Sequence, residues 1–161
     1  MLLIGIIGGP GSGKTTVCGM FHDLGVPILP YDSKRSYFWD TIKLTLLQGH
    51  AYALVDLPIP PPPTTFYQQR LLVTCETDLQ LHRIMESRSI SEKDSQSMLS
   101  SSPKLSMKIH ASHTIENSSS FTDTKSQVLY LHESTFAPLG SKRKMMTMGG
   151  ILLVFAAFFL M

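Results

Sequence analysis

The chain is 161 residues long, 43% apolar and only 16% charged, with a net charge of +2. That length suits one domain with a real core, and so small a net charge argues against nucleic acid or a strongly acidic partner. Two distant cysteines, Cys18 and Cys75, exclude a cysteine metal cluster and read as reduced thiols of an intracellular protein.

The first run, Leu2–Ile7, is continuous, apolar and closed by glycine, as a parallel strand buried on both faces should be. It lacks the positive leading region and the long apolar core of a signal peptide. Lys14–Leu24 carries Val17, Met20, Phe21 and Leu24 at helical spacing and stops at Gly25. Val26–Leu29 is a second short strand, ended by Pro30. Phe38, Trp39, Ile42 and Leu46 mark a second helix that Gly49 ends, and Ala51–Val55 is a third strand closed by Asp56. Pro58 and Pro60–Pro63 have no place inside a sheet or helix and form a stiff surface loop. Arg70–Cys75 is a fourth strand. Thr77 and Gln80 have the spacing of a capping box, opening a helix through Arg88, and Ser91 with Asp94 caps a further helix. Ser95–Ser112 lacks apolar periodicity and is expected to be mobile. Ala111–Ile115 makes a fifth strand, and Phe121, Val128, Leu129 and His132 a last amphipathic helix. Strands alternating with helices specify an α/β fold, a parallel sheet of about five strands flanked by helices.

Between the first strand and the first helix stands Gly8-Gly9-Pro10-Gly11-Ser12-Gly13-Lys14-Thr15. It fits G-x-x-x-x-G-K-[ST], the phosphate-binding P-loop. Glycines let the backbone turn its N–H groups onto phosphate oxygens, and the helix that follows presents an N-terminus that favours negative charge. Lys14 reaches the β- and γ-phosphates, and Thr15 offers a hydroxyl to Mg²⁺. The segment, extended to Thr16, is expected to hold ATP–Mg²⁺ in a P-loop NTPase or kinase fold. Asp56 closes the third strand, where such a protein places a carboxylate for Mg²⁺ or its waters. Asp32 follows the second strand and shares the same end of the sheet, where ligands bind, so it is a candidate base toward a substrate hydroxyl. For both aspartates a plain turn residue remains an open alternative.

Beyond the P-loop, Phe21-His-Asp-Leu-Gly-Val-Pro-Ile, Asp32, Asp56-Leu-Pro, and Cys75 before Asp78-Leu-Gln-Leu-His-Arg-Ile-Met follow in order. Later come Ser91-Glu-Lys-Asp, His113-Thr-Ile-Glu-Asn and Thr124-Lys-Ser-Gln-Val-Leu. In that order and spacing the chain resembles the dephospho-CoA kinases over nearly its whole length. The resemblance implies transfer of the ATP γ-phosphate to the 3′-hydroxyl of the dephospho-CoA ribose, the last step of coenzyme A synthesis. It implies that Asp32 contacts the acceptor hydroxyl, that Asp56 belongs to an Asp-x-Pro motif, and that Arg83 and Arg88 lie on the helix leading to a lid. Arg88 is then a nucleotide contact, while Arg83 reads equally as part of a solvated helix face.

The chain departs from that family on the acceptor side. The helical insert between the positions of Asp32 and Asp56 is much shortened, Pro60–Pro63 replaces the residues after Asp-x-Pro, and no arginine lies between Ser89 and Ser112. Because arginine at a transferring phosphoryl group can be worth about 10³–10⁵ in rate, transfer is expected to be weakened or lost. The alternative is a non-catalytic ATP-binding protein or a membrane-anchored interaction protein. Residues 1–140 read as the kinase domain and 141–161 as a basic flank and tail. Met145–Met161 carries no charge and follows Lys142-Arg143-Lys144. Membrane helices need about 17–25 residues and keep a basic flank on the cytoplasmic side. The expectation is a cytosol-facing chain anchored by its tail to a mitochondrial or endoplasmic-reticulum membrane.

Overall fold

The computed structural model describes residues 1–31, 35–59, 67–100, 111–142 and 145. Asp32, the Pro60–Pro63 run, residues 101–110 and the apolar tail from 146 lie outside the described residues.

Five parallel strands form one sheet: β1 (Leu2–Gly8), β2 (Ile28–Pro30), β3 (Tyr52–Asp56), β4 (Gln69–Thr74) and β5 (His113–Glu116), in the order β2-β3-β1-β4-β5. Helices α1 (Lys14–Asp23), α2 (Arg35–Leu47), α3 (Thr77–Arg88), α4 (Glu92–Ser100) and α5 (Phe121–Leu131) alternate with them. The apolar run of β1 is continuous because both faces of the sheet are covered. Leu2, Ile4 and Ile6 pack on one side with Val17, Met20 and Phe21 of α1 and Val128 and Leu131 of α5. Leu3 and Ile7 pack on the other with Leu29, Val55, Leu57, Tyr67 and Leu72, against which Ile42 of α2 also rests. Gly5 belongs to that second face, where a Cβ would come within 2.5 Å of the Leu57 side chain.

Chain order and spatial order reverse at β1. The chain first builds outward to β2 and β3 on one side, then crosses to β4 and β5 on the other. The carboxyl end of β1 is therefore the switch point at which open α/β sheets form their ligand crevice. In register, Ile6 stands beside Asp56 and Gly8 beside Val73, so the ends of β3 and β4 flank the start of the glycine loop.

Four local expectations need correction. Thr77 and Gln80 do not form a capping box: Glu76 is the N-cap of α3 and makes no side-chain cap bond. Thr77 is already the first helical residue, and Gln80 is buried. A capping box does form one helix later, where the Asp123 amide donates to Ser120 Oγ and the Ser120 amide to Asp123 Oδ2, each at 3.2 Å. Secondly, residues 95–100 are helical, not mobile. Ser91 Oγ accepts the Asp94 amide at 3.2 Å, as its spacing predicted, and Ser95 and Leu99 are buried. Thirdly, Phe121 is exposed, because it is the first residue after the Ser120 cap. Fourthly, the last helix does not end at His132. The chain widens into one π-helical turn, His132–Phe136, and continues helically through 142. That turn delivers Phe136, wholly buried, against Phe21, Tyr52 and His113 at ring-centroid distances of 6.2, 5.6 and 5.1 Å. Among the described residues no helix is long and apolar enough to cross a membrane.

Candidate active site

The site begins with how α1 starts. A helix normally satisfies its first amides with a Ser, Thr, Asp or Asn cap. Here the N-cap is Gly13 in the left-handed region (φ 83), and no side chain caps the helix. Gly11 is also left-handed, at φ 70, which only glycine adopts without strain. Neither glycine has room for a side chain. A Cβ on Gly11 would meet the Gln80 carbonyl oxygen at 2.5 Å, and one on Gly13 would overlap the Asn117 amide. Within the loop the Ser12 amide closes on Gly9 O at 3.1 Å, while no side chain caps the first amides of α1, so the helix N-terminus meets the requirement for an anion site.

These residues line a cleft of about 490 Å³, within the roughly 300–1,000 Å³ range of small-molecule sites. Gly8, Gly9, Pro10, Gly11, Gly13, Lys14 and Thr15 form one wall, Ile59 after β3 another, and Arg83, Ser87 and Arg88 of α3 the third. Lys14 Nζ pairs with Asp56 Oδ1 at 2.5 Å and donates to Leu57 O at 3.0 Å. Sequence separated these two candidates by 42 positions; the parallel β1–β3 pairing brings them together. Asp56, at the end of β3, carries the only charge that meets Lys14 among the described ion pairs. Thr15 is exposed at the cleft, where its hydroxyl is free to meet a metal, whereas Thr16 is exposed outside the lining. Ser12 is wholly buried and, among the described residues, its Oγ has no hydrogen-bond partner. Its side chain serves the underside of the loop, where a Cβ on Gly8 would meet that oxygen at 2.6 Å.

Arg83 is not part of a solvated helix face. Its Nη1 donates to Asn117 O at 3.1 Å and lies 3.3 Å from Cys75 Sγ, which presents the guanidinium at the cleft. Arg88, exposed at the last turn of α3, also lines the cleft. Below the loop, Asn117 Nδ2 donates to Ser12 O and Thr124 Oγ1 donates to Asn117 Oδ1, both at 2.9 Å and both buried. The sequence showed Asn117 and Thr124 inside two of the family-like runs but gave neither a role, because an asparagine just after a strand looks like any turn residue. The thiol of Cys18, on the buried face of α1, is pushed up to about 11 by burial first and by the Asp56 carboxylate second, with Lys14 opposing.

The donor set fits a nucleoside triphosphate with a divalent cation. It offers an uncapped helix N-terminus after a glycine loop for phosphates, cations at Lys14, Arg83 and Arg88, and a hydroxyl with a carboxylate for Mg²⁺.

No family model matches the chain. It is 24% identical to the dephospho-CoA kinase domain-containing protein of Danio rerio, covering 82% of this chain and 84% of that one. That alignment runs over 193 positions, more than the 161 residues present, so the relative carries segments without a counterpart here. Among solved structures, TT1252 from Thermus thermophilus superposes with a TM-score of 0.66 at 16% identity, over 80% of this chain and 94% of that one. Shikimate kinase from Acinetobacter baumannii superposes with a TM-score of 0.53 at 18% identity, over 83% and 94%. The chain has the P-loop kinase fold and is a homologue of the dephospho-CoA kinase domain-containing protein.

Proposed function

We propose that the chain is a kinase-type phosphotransferase that uses ATP–Mg²⁺ to phosphorylate the 3′-hydroxyl of dephospho-CoA, at a rate far below the norm for dephospho-CoA kinases. The observation that carries the reading is the uncapped, glycine-started α1 facing the Lys14–Asp56 pair at the switch point of the sheet. The kinase relatives support the reaction class. When bound, ATP–Mg²⁺ supplies the phosphoryl group. Residues 8–15 bind its phosphates, Lys14 balances negative charge at the β- and γ-positions, and Thr15 with Asp56 holds the metal. Arg83 and Arg88 add positive charge along the α3 wall. Asp32 takes the proton from the attacking hydroxyl as the new O–P bond forms and ADP departs.

Positioning the acceptor is where this chain is poor. Orientation can be worth about 7–11 kcal/mol, and the relative's extra segments mean that less surface is available here to supply it. The same observation favours a second reading, an ATP-binding protein without turnover. The tail from Met145 we assign to a membrane, on composition and its basic flank. Deleting 145–161 moves the chain from the pellet to the soluble fraction, and a full-length chain already soluble without detergent contradicts the assignment.

The test measures 3′-phosphorylated product and free phosphate with ATP and dephospho-CoA. Slow product formation, with phosphate release exceeding it and both lost in Lys14→Ala, supports the kinase. Saturable ATP binding with neither product nor phosphate selects the non-catalytic reading. Rapid, Asp32-dependent product without excess phosphate contradicts the account of the acceptor side.

A further inference from the structure

A P-loop works only if its peptide planes face the right way. In a trans peptide the C=O of one residue and the N–H of the next point in opposite directions. Whatever holds Ser12 O therefore sets where the Gly13 N–H points. Ser12 O is held by Asn117 Nδ2 at 2.9 Å, from the buried underside of the loop. The Gly13 N–H is thereby turned away from Asn117, toward the side on which Gly13 lines the cleft. Gly13 alone would not keep this orientation, since glycine rotates readily.

The amide that does the holding is itself fixed. Thr124 Oγ1, wholly buried, lies 2.9 Å from Asn117 Oδ1 and 3.3 Å from Ser120 O, and donates its single proton to the nearer, Oδ1. Ser12 O can only accept, so the NH₂ end of the amide faces it, and the Thr124 hydroxyl satisfies Oδ1 at the other end. Asn117 is further fastened by its backbone, whose N–H donates to Thr74 O at 2.8 Å. Its own carbonyl receives Arg83 Nη1 at 3.1 Å, which aims that guanidinium at the same cleft.

We propose that Asn117 is a positioning residue for phosphate binding, locking the Ser12–Gly13 peptide and holding Arg83, with Thr124 anchoring the Oδ1 end of its amide. The inference rests on the nucleotide reading above. It identifies the P-loop as a structure assembled partly from the far edge of the sheet, through β5 and the first turn of α5.

The test is the dissociation constant for ATP–Mg²⁺ of the full chain, measured by calorimetry at about pH 8 and about pH 5 for wild type, Asn117→Asp, Thr124→Val and Thr124→Ser. An aspartate carboxylate faces Ser12 O with like charge and draws the Gly13 N–H toward itself, so affinity falls about tenfold or more at the higher pH. A protonated carboxyl restores the pattern, accepting from Thr124 and donating to Ser12 O. The carbonyl facing it raises its pKa, while Arg83 opposes and Glu116 adds to the rise. The ratio of variant to wild-type constant therefore shrinks at the lower pH, and using the ratio divides out the titration of the nucleotide. Thr124→Val weakens binding several-fold, and Thr124→Ser restores it. Should Asn117→Asp not fold at the higher pH, the two Thr124 variants decide the matter. Wild-type binding with Asn117→Asp within twofold at both pH values overturns the inference alone, as does a loss that does not change with pH, or Thr124→Val matching wild type. No binding by wild type overturns the nucleotide reading, and this inference with it.

Discussion

Replacing Asp56 with asparagine separates two tasks that one carboxylate performs in this site. Lys14 Nζ is held by Asp56 Oδ1 at 2.5 Å and by Leu57 O at 3.0 Å, both at the end of β3. To bind a nucleotide, Lys14 must exchange its carboxylate partner for phosphate oxygens, which leaves Asp56 to face the cation. The two side chains are 22% and 44% exposed, so the pair is a screened one worth about 1 kcal/mol, and not the larger figure of a buried pair. Asp56→Asn thus costs little fold stability. By releasing Lys14 it tightens binding of Mg²⁺-free ATP by up to about fivefold, the equivalent of that 1 kcal/mol. It also removes the charge that makes Mg²⁺ helpful, so adding Mg²⁺ no longer improves binding. The assay is an ATP titration of wild type and variant, once with chelator and once with excess Mg²⁺, with thermal melts alongside. A variant that keeps the full Mg²⁺ enhancement, or binds Mg²⁺-free ATP more weakly than wild type, refutes the assignment of Asp56 and the competition for Lys14.

Phe136→Ala empties a wholly buried ring site between Phe21, Tyr52 and His113. It should lower stability by about 3–5 kcal/mol in urea unfolding, and a loss under about 1 kcal/mol would show that the π-helical turn does not anchor the core. Because burial lifts the Cys18 thiol to about 11, alkylation of the folded chain at about pH 8 should modify half-buried Cys75 and spare Cys18 until unfolding; peptide mapping that finds both labelled at one rate contradicts this. Burial lowers the pKa of His113 below its ordinary 6.5, so folding favours the neutral ring. The stability this contributes is complete above 6.5 and is lost as pH falls from there through the lower folded value. His113→Gln should flatten the stability profile in that window, and parallel profiles for the two proteins would remove His113 as the cause.

The sheet and the P-loop were legible in the sequence because each rests on a short-range signal. Continuous apolar runs closed by glycine, proline or aspartate mark doubly covered strands, and the glycine pattern before Lys14 states its own backbone geometry. Sequence reasoning assigned Lys14 to phosphate and Asp56 to Mg²⁺; that the two pair directly is a consequence of β3 lying beside β1 in the structure. What the sequence hid depends on tertiary contact. Asn117 and Thr124 act across β5 and α5 on a carbonyl more than a hundred positions away, and although both fall in family-like runs, nothing local states that role. Phe136 was missed because the helical period breaks at the π-helical turn, which shifts it onto the core face. The Ser91–Asp94 spacing announced the start of α4, but its run from Ser95 to Ser100 escaped because serines mask the buried pair Ser95 and Leu99, and the Ser120–Asp123 box was not read although it has the same Ser-x-x-Asp spacing.

The most direct test of the account is calorimetric titration of the full chain with ATP–Mg²⁺, paired with thermal melts of wild type and Lys14→Ala. The account predicts one saturable site in wild type, stabilisation of about 2.7 kcal/mol at a hundredfold excess over Kd, and loss of both in Lys14→Ala. Wild type with neither saturable heat nor a melt shift, or Lys14→Ala matching wild type, would contradict it.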